Sequence, residues 1–254
     1  MTNVLLVGET WVSNSTHFKG FDSFQSTSFH NGATDFLNCF KGSKFTITQL
    51  ENNRAPEEFP TNIKELKKYD IIILSDIGAN SLLLHPEVWF NGGTIPNRLK
   101  LIEEFVLDGG GLLMVGGYLT FQGINGSGFW SGTPVERVLP VTISKTDDRL
   151  EMPDGTVPLL IKDKTHDLIN NLSPDFKPIL GANKVMIKDG VSPGTLMVFN
   201  YDDQEYPLLA ASSFGKGKSA VWTSDMGPHW LSSDFMKSSQ FKLLWENVLT
   251  WLAS

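Results

Sequence analysis

Five side chains that can exchange protons or bind a ligand lie after predicted strands at points spread along the chain. Three are carboxylates, one is a phenol and one is an imidazole: Glu9, Asp76, Asp225, Tyr118 and His229. A phenol both donates and accepts a proton, and an imidazole can act as a base. The carboxyl ends of the strands of an open parallel sheet meet at one edge, so we expect these groups to converge there. The sequence therefore predicts a ligand-binding or acid–base site in that crevice.

Each of these residues also has a structural interpretation. A phenol with a pKa near ~10 needs a strongly lowered pKa to act at neutral pH. Tyr118 is therefore alternatively an aromatic side chain that only fills the pocket. His229 is alternatively a structural histidine, and the three acids Glu9, Asp76 and Asp225 are alternatively N-caps of helices that follow the strands. Carboxylates and imidazole together also suit a hard cation or zinc. Only Asp225 and His229 have ligand-like spacing, and that spacing is common. We therefore predict no metal and no other cofactor.

The segment 99–123 has the clearest pattern of elements in the chain. Apolar residues recur at the spacing of one helical face: Leu99, Ile102, Phe105 and Val106. Three glycines at 109–111 end that helix, and the apolar run 112–115 predicts a strand covered on both faces. The pair Gly116-Gly117 then turns the backbone sharply, so that Tyr118 stands just past the end of the strand.

Strands and helices alternate through the first half. Strands are predicted at 3–7, 45–50, 69–75 and 112–115, and helices at 33–40, 63–68 and 99–106. Residues 12–31 are polar and aromatic without a clear period and are predicted to form a loop over the strand ends. The connections are long enough for a parallel sheet.

The second half is predicted to be mostly strands. Strands are expected within 134–144, at 185–188 and at 195–200, with one hairpin over 150–161 turning at Asp154-Gly155 and another joining 208–214 to 219–224. A last helix carries one apolar face: Phe241, Leu244, Trp245, Val248 and Leu252. Without an internal repeat or linker, residues 1–254 are predicted to form a single domain.

Composition excludes several classes of function. The chain has 254 residues, a net charge of −7 and a pI of about 5.2, which argue against non-specific binding to nucleic acid or to an anionic membrane. One cysteine excludes an intrachain disulfide. The beginning of the sequence lacks a basic lead, and no apolar run approaches the ~20 residues of a membrane span. We expect a cytoplasmic protein, and self-association is left open.

The segment 116–122, with the sequence GGYLTFQ, resembles the nucleophile elbow of class I glutamine amidotransferases, whose pattern is Gly-x-Cys-Leu-Gly-x-Gln. Three positions match: Gly116, Leu119 and Gln122. Tyr118 occupies the position of the nucleophilic cysteine, and Thr120 occupies that of the second glycine.

Other segments extend the resemblance over most of the chain. Four segments are similar to amidotransferase-like proteins related to trehalose-utilisation-type domains. They are KYDIIILSDIGANSLLLHPEVW, DGGGLLMVGGYLTFQG, FGKGKSAVWTSDMGPHW and the LWENVLTWL that follows it. This resemblance implies a flavodoxin-like, three-layer α/β fold with a parallel core sheet extended by antiparallel strands.

The resemblance also assigns roles to loops after two strands. The loop 75–78 corresponds to the glycine-rich oxyanion loop of amidotransferases, but Asp76 and Ile77 replace the expected glycines. His229 corresponds to the catalytic histidine, while Leu231 stands where a glutamate is expected. Cys39 lies on the first predicted helix beside core positions, so it does not replace the missing nucleophile.

A tyrosine cannot supply the thiolate that forms a glutamyl thioester, so we predict no glutaminase activity. The protein is then a small-molecule-binding or assembly protein, or alternatively a hydrolase that uses His229 with Asp225 and either Tyr118 or a metal. The predicted catalytic residues are Tyr118, His229 and Asp225, and the predicted ligand-binding residues are Glu9, Trp11, Asp76, Gly78 and Gln122. Aromatic walls suit sugar rings, so a carbohydrate ligand is one hypothesis for Trp11, Trp89, Trp130 and Trp230; ordinary loop packing is the other.

Overall fold

The computed structural model describes residues 1–161 and 165–254. The strands are β1 (Thr2–Gly8), β2 (Thr10–Lys19), β3 (Asp22–Asn31), β4 (Phe45–Leu50), β5 (Ile71–Ser75), β6 (Gly111–Val115), β7 (Val141–Ile143), β8 (Arg149–Thr156), β9 (Leu159–Leu160), β10 (Ile179–Asn183), β11 (Val185–Ile187), β12 (Pro193–Tyr201), β13 (Gln204–Phe214) and β14 (Gly217–Trp222). The helices are α1 (Thr34–Cys39), α2 (Ala55–Glu58), α3 (Ile63–Leu66), α4 (Ala79–Leu83), α5 (Pro86–Trp89), α6 (Arg98–Leu107), α7 (Pro134–Arg137), α8 (Ser233–Met236) and α9 (Ser239–Leu252).

The main sheet has eight strands in the order β4-β1-β5-β6-β14-β13-β12-β9. Its first five strands are parallel, and the last three continue the sheet in antiparallel fashion. The parallel part has the strand order 2-1-3-4-5 of a flavodoxin-like sheet, with β1 and β5 on the two sides of the point where the order reverses. The predicted fold class, a parallel core extended by antiparallel strands, is confirmed.

Two apolar cores lie on opposite faces of this sheet. Alternate residues of β1 point to opposite sides, so Val4 and Leu6 join one core while Leu5 and Val7 join the other. Helices α1 and α9 cover the first face, and α6 covers the second. The predicted apolar faces of α6 and α9 are confirmed, since every residue named for them is buried. In the described residues, no helix is long and apolar enough to cross a membrane.

The loop predicted for 12–31 is wrong. These residues form most of a long antiparallel hairpin in which β2 and β3 pair from Thr10↔Asn31 to Lys19↔Asp22. The hairpin is solvent-exposed over nearly its whole length. Because neither face packs on the body of the protein, its sequence shows no alternation of apolar and polar residues for a periodicity analysis to detect.

The hairpin predicted to turn at Asp154-Gly155 is also wrong. Strand β8 runs through these two residues to Thr156 and pairs with β10, which follows much later in the chain. The register shifts between the pairs Ile179↔Thr156 and Gly181↔Glu151, and Gly155 has a φ of 73°. The Asp-Gly pair therefore forms part of a β-bulge within the strand. This bulge places Gly155 at a positive φ, as a tight hairpin turn would.

Cys39 lies at the end of α1, half-buried against the first core. Burial raises the pKa of its thiol, so little of the reactive thiolate is present at neutral pH. We expect an aromatic disulfide reagent to modify Cys39 much more slowly in the native protein than in urea. Equal rates in the two states would contradict this prediction.

Candidate functional site

A cavity of about 400 Å³ opens at the carboxyl ends of the parallel strands. It is lined by Glu9, Trp11, Asp76, Tyr118, Leu119, Ile124, Asp225, Pro228 and His229. Glu9 follows β1 and Asp76 follows β5, the two strands that flank the reversal of strand order. Ligands of open α/β sheets bind in the crevice at this point.

Tyr118 reaches the cavity through a turn that depends on close backbone approaches. A Cβ atom on Gly116 would lie 2.1 Å from the carbonyl oxygen of Thr223. A Cβ atom on Gly117, whose φ is +150°, would lie 2.9 Å from Oδ1 of Asp76. The glycine pair therefore allows the turn to pack between β14 and the loop after β5.

Buried polar groups fix this turn from behind. The Gly117 amide donates to Oδ1 of Asn183 at 2.9 Å, and Nδ2 of Asn183 donates to Asp148 at 2.9 Å. Asp148 also accepts the amides of Gln122 and Gly123, each at 2.8 Å. Burial raises the pKa of Asp148, although these hydrogen bonds favour its charged form. The network holds both ends of the segment that presents Tyr118.

The phenol of Tyr118 and the imidazole of His229 are in direct contact. Oη of Tyr118 lies 2.7 Å from Nε2 of His229, a hydrogen-bond distance. Trp230 stacks on His229 with ring centroids 5.1 Å apart, and the guanidinium of Arg149 lies 5.2 Å from the centroid of the Tyr118 ring. Nδ1 of His229 is 3.7 Å from Oδ2 of Asp225, which completes a Tyr–His–Asp arrangement.

Burial sets the protonation of this pair. It lowers the pKa of His229, so the imidazole is neutral at neutral pH. Burial, with a contribution from Glu151, raises the pKa of Tyr118, so the phenol keeps its proton. A neutral imidazole and a protonated phenol form a donor–acceptor pair that could pass a proton to or from a bound molecule.

Glu9 and Asp225 form a buried pair of carboxyl groups. Ser75 Oγ donates to Oε2 of Glu9 at 2.5 Å, and the amides of Met226 and Gly227 donate to Oδ1 of Asp225 at 2.7 and 3.1 Å. Burial, then the charges of Asp225 and Asp76, raise the pKa of Glu9 well above its usual value. Burial and the Asp76 charge raise the pKa of Asp225 to about 8. The pair therefore retains a proton at neutral pH, as carboxyls sharing one site do.

The side chain of Asp76 accepts a hydrogen bond from the backbone amide of Leu119, the residue that follows Tyr118. The backbone N–H of Leu119 donates to Oδ1 of Asp76 at 2.8 Å, and Asn52 fixes the Asp76 carbonyl from the other side at 2.8 Å. Burial raises the pKa of Asp76, and the hydrogen bond from Leu119 works against that rise. In elbow-type hydrolases the amide after the nucleophile binds the oxyanion. In this protein the corresponding amide, that of Leu119, already donates to the Asp76 carboxylate.

Three of the five candidate residues have a left-handed backbone. The φ angles are 60° at Glu9, 43° at Asp76 and 132° at His229. Side chains other than glycine adopt such angles at an energetic cost, and strained residues cluster at functional sites. The surrounding hydrogen bonds hold these three side chains at the cavity despite that cost.

The structure thus brings Glu9, Asp76, Tyr118, Asp225 and His229 to one cavity, with Trp11 at its rim; their functional roles stay predictions. Two residues predicted to bind ligand lie outside it. Gly78 precedes α4 against the backbone oxygens of Ser127 and Gly128. Gln122 is buried, and its side chain donates to the Gly126 carbonyl.

The alternative roles weighed for the acids can now be compared with their contacts. No helix in the described ranges is capped by the side chain of Glu9, Asp76 or Asp225; α4 begins after Gly78, and α8 is capped by Ser232. Within the same ranges, no three His, Cys, Asp or Glu side chains are grouped to hold a metal ion.

Sequence reasoning missed several residues around Tyr118. Arg149 and Glu151 lie on β8, whose sequence predicts a local hairpin, and Trp230 is one loop aromatic among several in the sequence. Nε1 of Trp230 donates to Oε2 of Glu151 at 3.1 Å, which ties these residues together. The position of Trp230 beside His229 was the one available signal.

Of the four tryptophans considered for a sugar site, only Trp11 lines the cavity. Trp130 is buried, and its indole N–H donates to the Ile77 carbonyl at 2.9 Å. Trp230 is buried behind Tyr118 and His229. Trp89 lies on α5 and is 63% exposed.

Comparison with known proteins gives a consistent picture. Residues 3–254 match the GATase1-like family, described as "Putative glutamine amidotransferase". The chain is 36% identical to the cytoplasmic protein STM3548 from Salmonella typhimurium, with 98% of each chain covered and a TM-score of 0.91. It is 34% identical to the cytoplasmic protein STM1381 from Salmonella typhimurium LT2, with both chains fully covered and a TM-score of 0.92.

A more distant likeness concerns the fold alone. A ThuA-like protein from Parabacteroides merdae is 12% identical, with a TM-score of 0.56 over 100% of this chain and 90% of the other. No curated protein sequence matches the chain.

Proposed function

The chain belongs to the GATase1-like family of glutamine amidotransferase-like proteins, and from this premise we propose that its crevice binds a small molecule without hydrolysing glutamine. The proposal treats residues 1–254 as one domain, because the two apolar cores share a single eight-stranded sheet.

The observation that carries this proposal is the hydrogen bond from the Leu119 amide to Asp76. Hydrolysis of an amide through a thioester needs a nucleophile and donors aimed at the oxyanion that develops. Tyr118 replaces the nucleophile, and its raised pKa makes the phenolate scarce at neutral pH. The Asp76 carboxylate already accepts the hydrogen bond of the Leu119 amide, and its negative charge would repel an oxyanion. Two independent parts of the glutaminase machinery are therefore missing.

We expect no ammonia release above background when the protein is incubated with glutamine. We also expect Tyr118→Cys to stay inactive, because restoring a thiol leaves Asp76 on the Leu119 amide. Loss of a single oxyanion donor already costs roughly 10²–10³-fold in rate. A coupled assay for ammonia measures the activity of the wild type and of Tyr118→Cys.

Two results would contradict the proposal in different ways. Wild-type turnover that Tyr118→Phe abolishes would overturn the loss of glutaminase activity. Efficient turnover by Tyr118→Cys alone would overturn the role assigned to Asp76.

The shape and chemistry of the cavity support a carbohydrate as the bound molecule. The exposed ring of Trp11 forms one wall, and Leu119, Ile124 and Pro228 supply further apolar surface. Sugar rings pack their C–H faces on such surfaces while carboxylates accept hydrogen bonds from their hydroxyls. Asp76 and the Glu9–Asp225 pair supply those acceptors at the base of the cavity.

Binding can be tested with glucose, galactose, N-acetylglucosamine and maltose as probes. A ligand that binds only the folded state raises the unfolding temperature by an amount that grows with the ratio of its concentration to its Kd. We expect at least one probe to do so for the wild type, and Trp11→Ala to remove the shift. Trp89→Ala, which alters an exposed tryptophan away from the cavity, is the matched control. A shift that survives Trp11→Ala, or none with any probe, would contradict the carbohydrate assignment.

A second candidate function, hydrolysis of another substrate, is favoured by the contact between Tyr118 and His229. In this alternative the neutral imidazole of His229 takes a proton from water, and the phenol of Tyr118 gives one to the leaving group. Asp225 lies 3.7 Å from Nδ1 of His229, and the charge of Asp76 favours the imidazolium that forms. p-Nitrophenyl esters and glycosides are suitable probes. Release of nitrophenol that Tyr118→Phe and His229→Gln both abolish, while His17→Gln retains it, would favour the enzyme over the binding protein.

A further inference from the structure

The hairpin of β2 and β3, residues 10–31, projects from the body of the protein; we call it the arm. Each strand has ten residues, so the arm extends about 33 Å at the usual rise per residue. Its strands form a separate two-stranded sheet and make their extensive contacts with each other. At the base, the Thr10 amide donates to Asn52 and the Asn31 side chain donates to Gln49.

The arm exposes large apolar side chains on both faces. Phe21 at the turn is fully exposed, Phe18 is 78% exposed, and Phe24 and Phe29 are each 51% exposed. Cross-strand partners share a face, so Val12 and Phe29 lie on one face while His17 stacks on Phe24 on the other, with ring centroids 4.6 Å apart. An isolated two-stranded hairpin is marginally stable in water. A surface of this kind is normally covered.

The edges of the arm also lack the usual protection against pairing. Exposed strands commonly carry charges, prolines or bulges that block association. The pairing of β2 with β3 is regular from end to end, and residues 10–31 contain no proline. Their only Lys, Arg, Asp or Glu residues are Lys19 and Asp22, which lie beside the turn.

We propose that a second copy of this chain covers the arm, and that the protein self-associates through it. The 22 residues of the arm match the 20–30 residues that a standard interface takes from each partner. The chain has a net charge of −7, so two copies repel each other except where they are locally neutral. The arm carries one positive and one negative residue, which suits contact with an identical molecule. It offers no charge pattern by which a different partner would be selected.

Sedimentation of the full-length protein across micromolar concentrations tests this proposal directly. We expect the wild type to be oligomeric and the double variant Phe18→Ser/Phe24→Ser to dissociate with a Kd at least roughly tenfold higher. Phe90→Ser removes a 77% exposed phenylalanine just after α5 and is the matched control that leaves association unchanged. None of these residues lines the cavity, so the outcome is independent of ligand binding.

A second variant keeps the test valid if the double variant misfolds. Ser15→Glu places a charge on an exposed position of the arm without removing an aromatic ring. Identical copies then repel each other, and we expect association to become weaker at low salt and to recover at high salt. A monomeric wild type, or an oligomer that none of the arm variants alters, would overturn the proposal.

Discussion

Replacing Trp245 by alanine is expected to lower the free energy of unfolding by about 3–5 kcal/mol, the cost of deleting a large buried aromatic side chain. Trp245 lies on the apolar face of α9 and is completely buried. Its ring meets Phe36 at 5.5 Å, Trp222 at 5.8 Å and Phe241 at 5.9 Å between centroids. It therefore joins α9 to helix α1 and to strand β14, and alanine would leave a cavity at their junction.

A matched pair of variants separates packing from hydrogen bonding. The indole N–H of Trp245 has no hydrogen-bond partner among the residues that the structure describes. Trp245→Phe removes this buried, unpaired donor while keeping an aromatic ring, so we expect it to cost less than Trp245→Ala. Trp89→Ala truncates a tryptophan that is 63% exposed and should change stability by no more than about 0.5 kcal/mol.

Urea titrations monitored by circular dichroism would measure all three variants. A loss under about 1 kcal/mol for Trp245→Ala would mean that the face of α9 is not required for the core. A larger loss for Trp245→Phe than for Trp245→Ala would contradict the account of its unpaired N–H.

The parallel core was predictable because its signals are local. Strand β5 and the segment from α6 to β6 are continuous apolar runs or one-sided helices whose burial decides their structure. The arm was not predictable in this way, because neither of its faces is buried by the chain itself. Its strand pairing depends on backbone hydrogen bonds and cross-strand rings such as Trp11 with His30.

In the candidate site, too, the features that depend on local sequence were predictable and those that depend on distant contacts were not. The edge at which Glu9, Asp76 and Tyr118 meet follows from strand direction alone, once the strands are recognised. The contacts that set their chemistry join distant parts of the chain. Asn183 binds the Gly117 turn across 66 residues, and no local pattern signals that contact. The raised pKa values of Glu9 and Asp225 likewise depend on burial, which a sequence does not give directly.

The buried carboxyl pair should make the stability of the protein depend strongly on pH. Burial raises the pKa of Asp225 to about 8 and raises that of Glu9 well above normal, whereas in the unfolded chain both titrate near ~4. The folded protein therefore binds more protons than the unfolded chain between about pH 4 and about pH 8. Stability falls as pH rises through this window, by up to about 1.4 kcal/mol per pH unit for each proton involved.

Asp225→Asn is the variant that tests this dependence. The asparagine oxygen can still accept the amides of Met226 and Gly227, so the loop keeps its hydrogen bonds while the titrating group is lost. We expect the variant to be more stable than the wild type at pH 8 and to show a shallower slope, with that of Glu9→Gln/Asp225→Asn shallower still. Asp147→Asn is the control, because hydrogen bonds from Arg149 lower the pKa of Asp147 to about 2, outside the window. Urea titrations at several pH values give the slopes. Equal slopes for the wild type and the double variant would mean that the two carboxyls ionise normally and share no proton.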